Sequence, residues 1–158
     1  MEQSDPLSLI AKTIIDSNMY MTLGTADATG EPWVSPVYFA CADYREFYWI
    51  SSPEARHSRN ISMRPHISIV VFSSQVPVGK GQAVYMSAIA EELTGTGFER
   101  GLVIYNGRFS DPAEHGVRII EAVDLQGSAL YRLYRATASE HWVLDPTRRP
   151  DLRTPVAI

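Results

Sequence analysis

The chain has 158 residues, 45% of them hydrophobic and 20% charged, with a formal net charge of −4. This describes a single globular domain over residues 1–158 that is large enough for a core without staples, and its acidic balance and scattered basic residues argue against nucleic acid as a partner. Cys41 is the only cysteine, so no intrachain disulfide is expected, and the start MEQSDPLSLIAKTIIDSN is acidic with no long apolar run; the simplest expectation is a cytoplasmic protein without signal peptide or membrane span.

In chain order, Asp5 or Ser4 can cap a first helix with Pro6 near its start. Leu7, Ile10, Ala11, Ile14 and Ile15 recur at helical spacing as far as Ser17-Asn18. Residues 19–26 read as a strand, Asp27-Ala28-Thr29-Gly30 as a hairpin turn and residues 32–40 as a second strand. After a turn at 42–45 comes a strand at 47–51. Ser52 then reads as a helix cap, with Pro53 at the first helical position and the helix running to about Met63, because Pro65 disfavours helical geometry at Arg64. Residues 67–72 form an apolar strand and 73–81 a Ser-, Pro- and Gly-rich loop. Residues 82–93 form a long strand in which Val84, Met86, Ala88 and Ala90 alternate with Tyr85, Ser87 and Ile89. Thr94 or Thr96 opens a short helix through Phe98 and Tyr105, and Ser110-Asp111-Pro112 starts a turn or helix that continues to about Ala122. Two closing strands, 129–136 and 140–144, precede a tail from Asp145 that is rich in Pro and Arg and is expected to run over the surface. Many short strands with few helices predict a closed antiparallel barrel, which leaves no exposed sheet edge.

The segment from Glu46 to Phe72, EFYWISSPEARHSRNISMRPHISIVVF, carries the chemistry. It predicts strand, tight turn, basic helix and strand, with Arg56 and His57 in the first helical turn beside free backbone N–H groups. That is an anion site, with Arg56 as charged anchor and Ser51 or Ser52 as donors. The plainer reading is a capped surface helix with solvated arginines. No other constellation competes. His57, His66, His115 and His141 have no ligand spacing for a metal. There is no Gly-x-Ser-x-Gly elbow or Walker-type loop, and Cys41 reads as a structural thiol. An anion-binding turn without acid–base machinery suggests that a cofactor carries the reactivity.

These residues resemble the pyridoxamine 5′-phosphate oxidase-like, FMN-binding split-barrel family. The resemblance is carried by residues 32–39 (PWVSPVYF), 47–51 (FYWIS), 55–61 (ARHSRNI) and 64–72 (RPHISIVVF). It implies a six-stranded antiparallel split β-barrel with flanking helices. It also implies a homodimer with flavin mononucleotide (FMN) at the subunit interface and an oxidoreductase activity on a small molecule, with a nicotinamide as candidate electron donor. By match, Arg56 is the main phosphate ligand, and His57 stands where relatives often have lysine. Ser51 touches the phosphate or ribityl chain, and Ile50 offers backbone groups. Ser35, Pro36 and Val37 line the isoalloxazine through the main chain. Asn60 lies one turn past Arg56, Gln82 opens the long strand where relatives place a glutamine near the flavin, and Trp142 and a C-terminal arginine reach the partner's cofactor. The family's vitamin oxidases end in an Arg-Leu-His-Asp-Arg-like run. This chain carries Pro-Thr-Arg-Arg-Pro-Asp-Leu-Arg at 146–153 instead, so the resemblance does not extend to that activity. The same barrel also hosts reductases that use the deazaflavin F420, and flavin- or haem-binding modules without turnover. For F420, Arg59, Arg64 and Lys80 are the candidate partners of its acidic tail.

Overall fold

The computed structural model describes residues 5–145, 147–150 and 152–158. The first helix, α1 (Pro6–Ser17), starts as expected. The Asp5 carboxylate accepts the Leu7 N–H at 3.2 Å, and Ala11, Ile14 and Ile15 are buried. Ser4, the other candidate cap, lies outside the described residues.

Strands β1 (Tyr20–Ala26) and β2 (Pro32–Tyr38) form the predicted hairpin, in register from Tyr20 opposite Tyr38 to Ala26 opposite Pro32. Its turn is held by the Asp27 carboxylate, which accepts the N–H groups of Thr29 and Glu31 and the Thr29 hydroxyl. The second strand does not run to Ala40. It stops at Tyr38, and the buried Phe39 turns the chain into a separate strand, β3 (Ala40–Ala42), which pairs with β4 (Glu46–Ser51). The three-residue β3–β4 turn places Asp43 and Tyr44 in the left-handed region at φ 51° and 53°, and the Arg45 N–H donates back to the Ala42 carbonyl at 3.1 Å. Tyr44 is held there by its hydroxyl, which donates to Asp16 at 2.9 Å.

The helix after β4 starts later than its cap signal suggests. Ser52 does not cap it. Its hydroxyl accepts the Glu54 N–H at 3.1 Å and its carbonyl accepts the Ala55 N–H, closing a turn, and α2 covers Arg56–Met63. Ser and Pro favour such local turns as readily as helix starts. Then come β5 (His66–Phe72), β6 (Ala83–Glu92) and α3 (Gly95–Asn106). On β6 the predicted alternation holds, with Val84, Met86, Ala88 and Ala90 buried.

The second half differs from expectation in detail. The turn or helix expected up to about Ala122 is two short 3₁₀ turns, Ala113–His115 and Ala122–Asp124. Gly116 at φ 67° ends the first, and the Asn106 side chain then pins the backbone of Ile120 through both its N–H and its C=O. The two closing strands are one, β7 (Arg132–Leu144), bent where Ser139 is inserted opposite the Ser87/Ala88 step. The tail adds a short strand that the sequence did not suggest, β8 (Arg153–Pro155), which pairs with β7.

All strand pairs are antiparallel, in the order β2-β1-β5-β6-β7-β4-β3 with β8 on β7, eight strands rather than six. The two ends of that order, β2 and β3, are consecutive in the chain, so the sheet curls round on itself as a split barrel. Its interior is packed with Met21, Leu23, Phe47, Trp49, Ile69, Met86 and Val143, and α1 lies against it. A second cluster, with Tyr48, Leu93, Phe98, Tyr105 and Leu133, seats α3 on the other face of β4 and β7. No helix among the described residues is long and apolar enough to cross a membrane.

Candidate functional site

The site forms where β2, the end of β4 and the start of α2 converge. Pleating puts Trp33, Ser35 and Val37 on one face of β2. Ser51 is the last residue of β4, and the turn at 52–55 brings α2 back over both strands. Arg56 is its first residue. The Arg59 N–H is the first to bond backward, to the Ala55 carbonyl at 3.0 Å, so the N–H groups ahead of it have no partner within the helix.

His57 sits at the centre. Its ring is buried between two serine hydroxyls, with Nδ1 3.1 Å from Ser35 Oγ and Nε2 2.9 Å from Ser51 Oγ. Burial pushes its pKa below the ordinary value, which favours the neutral ring. The two basic residues of the turn therefore divide in role. His57 faces inward with hydrogen bonds, while Arg56 remains exposed with its guanidinium 4.5 Å above the Trp33 ring. Trp33 Nε1 in turn donates to Ser35 Oγ at 2.9 Å.

The remaining predicted residues divide into those near this cluster and those elsewhere. Asn60 is buried beside it, but its amide donates to Thr25 Oγ1 at 3.0 Å and thereby ties α2 to β1. Val37 is buried in the core, and Pro36 is exposed on the opposite face of β2. Ile50 is half-buried and packs toward the cluster beneath α3. Gln82 is not brought to this site within the chain. It lines an open cleft of about 780 Å³ with Lys80, Leu144, Asp145 and Arg149. Burial pushes the Cys41 thiol up to about 12, which favours the protonated form near neutral pH. Trp33 and Thr25 were missed as site residues. The signal for Trp33 was present, because it lies two residues from Ser35 on the same face of a strand.

Chemically, the cluster offers a guanidinium, a hydroxyl and unpaired helix N–H groups around one corner of the fold. This donor set suits a phosphate monoester. The nearest acidic side chain in sequence, Glu54, is exposed in the turn.

Comparison with known proteins bears on the family and the fold. A family model described as pyridoxamine 5′-phosphate oxidase matches residues 11–125. No curated protein matches the chain's sequence. Among solved structures, a haem-binding protein from Mycobacterium smegmatis superposes with a TM-score of 0.68 at 18% identity, over 91% of this chain and 55% of that one. The chain thus spans little more than half the length of the mycobacterial protein. An FAD-binding protein from Mesorhizobium loti gives 0.64 at 19% identity, over 86% and 90% of the two chains. An F420 reductase gives 0.59 at 14% identity, over 83% and 94%. At such identities the three share the fold with this chain, while the ligands in their names differ.

Proposed function

The chain belongs to the pyridoxamine 5′-phosphate oxidase family, and from that premise we propose that it is an FMN-binding oxidoreductase acting on a small molecule. The observation that carries this reading is the Ser35–His57–Ser51 cluster at the start of α2 with Arg56 beside it. Arg56 and the first N–H groups of α2 hold the phosphate, and Ser51 donates to it. The backbone of Ser35, Pro36 and Val37 borders the isoalloxazine. Bound flavin supplies hydride transfer, which needs no protein nucleophile, in keeping with the protonated Cys41.

The reading includes a homodimer. The outer face of the sheet carries a shallow groove of about 310 Å³ lined by Thr22, Val34, Val70, Tyr85 and Trp142 among others. Pairing two such faces about a two-fold axis covers this surface, and a cofactor at the dimer seam would draw residues from both subunits. Gln82, in its separate cleft, is then the residue to look for beside the partner subunit's flavin.

The test is the visible spectrum and mass of the gently purified protein, followed by FMN titration of Arg56→Ala. A charge-assisted hydrogen bond contributes about 1.5–3 kcal/mol, so affinity falls roughly 10- to 100-fold. A colourless protein that takes up no FMN, or an unchanged affinity in the variant, refutes the assignment. The second reading, an F420-dependent reductase, is supported by the F420 reductase neighbour and by Arg59, exposed on α2 near Arg56. Against it, Arg64 is committed to the Ala28 carbonyl at 2.9 Å and Lys80 lies in the Gln82 cleft. Competitive titration with both cofactors decides between them. Bound cofactor that no nicotinamide donor reduces would mark a carrier module instead.

A further inference from the structure

A second pocket, of about 530 Å³, opens between the end of α1, β3 and the residues that follow α3. It shares no lining residue with the Ser35–His57–Ser51 cluster, and its size is ordinary for a small-molecule site. Its apolar lining includes the buried Ile15 and Phe39 together with Ile104 and Phe109. Two lining residues carry charge, Arg108 and Asp16, and neither forms an ion pair among the described residues. The guanidinium of Arg108 is fixed in place. It lies 4.3 Å from the Phe39 ring centre and 5.2 Å from those of Tyr38 and Phe109, and its Nη1 and Nη2 donate to the Met19 and Asn18 carbonyls. Its Nε has no partner among the described contacts. Burial pushes the Arg108 pKa below its ordinary value, and the Asp16 charge opposes that shift without reversing it. Asp16 is therefore near Arg108 without touching it. Its carboxylate is oriented by the Tyr44 hydroxyl, which donates to Oδ2 at 2.9 Å and leaves Oδ1 without a described partner. Lys12, the neighbouring cation on α1, lies over the Tyr44 ring at 5.4 Å and outside the pocket lining. α1 has no basic residue in its last turn, so the negative end of the helix adds to Asp16 in attracting a cation.

We propose that this pocket binds a small zwitterion of amino-acid type, its carboxylate on Arg108, its ammonium on Asp16, and an apolar or aromatic body against Phe39, Ile104 and Phe109. The two charges decide the class of ligand. A plain carboxylate that reaches Arg108 also meets the Asp16 charge, and a plain amine at Asp16 meets Arg108. A zwitterion presents the matching sign to each. Arg108 supplies the larger share, because its guanidinium is already partly desolvated and held by three rings and two carbonyls, so little order remains to be imposed on binding. Asp16 is exposed, so its contribution is screened by solvent and smaller. The Cys41 thiol, which also lines the pocket, stays protonated and adds no charge. The site is independent of the flavin assignment and holds whether or not FMN binds.

The probe is L-phenylalanine, compared with phenylacetate, which lacks the ammonium, and phenethylamine, which lacks the carboxylate. Backbone amide NMR spectra of the full chain locate each compound and give its affinity. L-Phenylalanine should shift the amides of Asp16, Cys41 and Gly107 and bind about tenfold or more tighter than either analogue. Asp16→Asn removes the charge and keeps an acceptor for the Tyr44 hydroxyl. It should weaken L-phenylalanine about threefold and leave phenylacetate no weaker. The Arg108 contact is tested by truncating the ligand, so its bonds to the α1–β1 turn stay intact and a folding defect cannot imitate the result. No shift at millimolar L-phenylalanine overturns the site, as do shifts centred on Ser35 and His57. Equal affinity for the three compounds, or an equal loss of phenylacetate in Asp16→Asn, overturns the assignment of the two charges.

Discussion

At the scale of single residues, His57 and His141 contribute a pH dependence of stability just below neutrality. Both are buried, and burial is the main reason each has its pKa lowered; for His141 the hydrogen bond to the Tyr44 carbonyl opposes the shift without reversing it. Below the ordinary histidine value of about 6.5 the unfolded chain binds protons that the folded chain refuses. Stability therefore rises with pH in that window. The contribution of the two rings is fully present above about 6.5 and is lost as pH falls through their folded values. The urea midpoint should drop between pH 7.5 and pH 5.5, and a His57→Gln/His141→Gln double variant should flatten that dependence. Equal midpoints at the two pH values in the wild type would refute the assignment.

Among the elements, those with an unbroken period were legible from residue order, and those with an interruption were not. On β6 the buried positions keep one phase from Val84 to Ala90, so the strand stands out in the sequence. On β7 they change phase. Ala136 and Ala138 are buried, and then His141 and Val143, because Ser139 adds one residue at the bulge. A pattern of period two cannot pass through such a step, and the strand reads as two. The start of α2 misled for a related reason, since Ser52 closes a turn of its own four residues before the helix begins at Arg56. The proximity of Ser51, Arg56 and His57 was legible, because they lie within one short segment. The Ser35–His57 bond was not, since it joins residues 22 apart that only barrel closure brings together. The element scale also carries a prediction at Gly101. On helix propensity alone, Gly101→Ala in α3 should gain about 1 kcal/mol. A Cβ there would sit 2.8 Å from Leu93 Cδ1 and 2.9 Å from Cε1 of the fully buried Tyr48 ring. Overpacking of that kind costs about 1–3 kcal/mol, and a ring fixed in the core yields less than a free side chain. Packing should outweigh propensity, leaving Gly101→Ala less stable by about 1 kcal/mol in urea unfolding. A gain in stability would show that α3 can shift away from β4.

For the whole molecule, the decisive question is what covers the outer face of the sheet. A surface strand ordinarily alternates apolar and polar residues. Here the outward positions that line the groove are Thr22, Gly24, Val34, Ser68, Val70, Tyr85, Ser87 and Trp142, with no charge among them. Gly24 is part of the fit. A Cβ there would meet Ser68 Oγ at 2.3 Å, so the glycine lets β1 and β5 keep a close, level surface. Lining residues without charge are what an interface core requires, with the Arg153 guanidinium over the Tyr85 ring at one side of the groove, and a two-fold pairing places each residue against the same surface of the second copy. In the proposed dimer, Val34→Glu puts two carboxylates into this face. Val34 is 67% exposed in the single chain, so the substitution leaves the monomer's fold intact. Sedimentation should then report a monomer where the wild type is a dimer. FMN affinity should fall with it although Arg56, Ser51 and His57 are untouched, because a cofactor at the seam loses the half of its site that the partner supplies. A monomeric wild type removes the dimer. A monomeric variant that binds FMN as tightly as the wild type keeps the dimer and places the whole flavin site within one chain, leaving Gln82 and its cleft free of the cofactor.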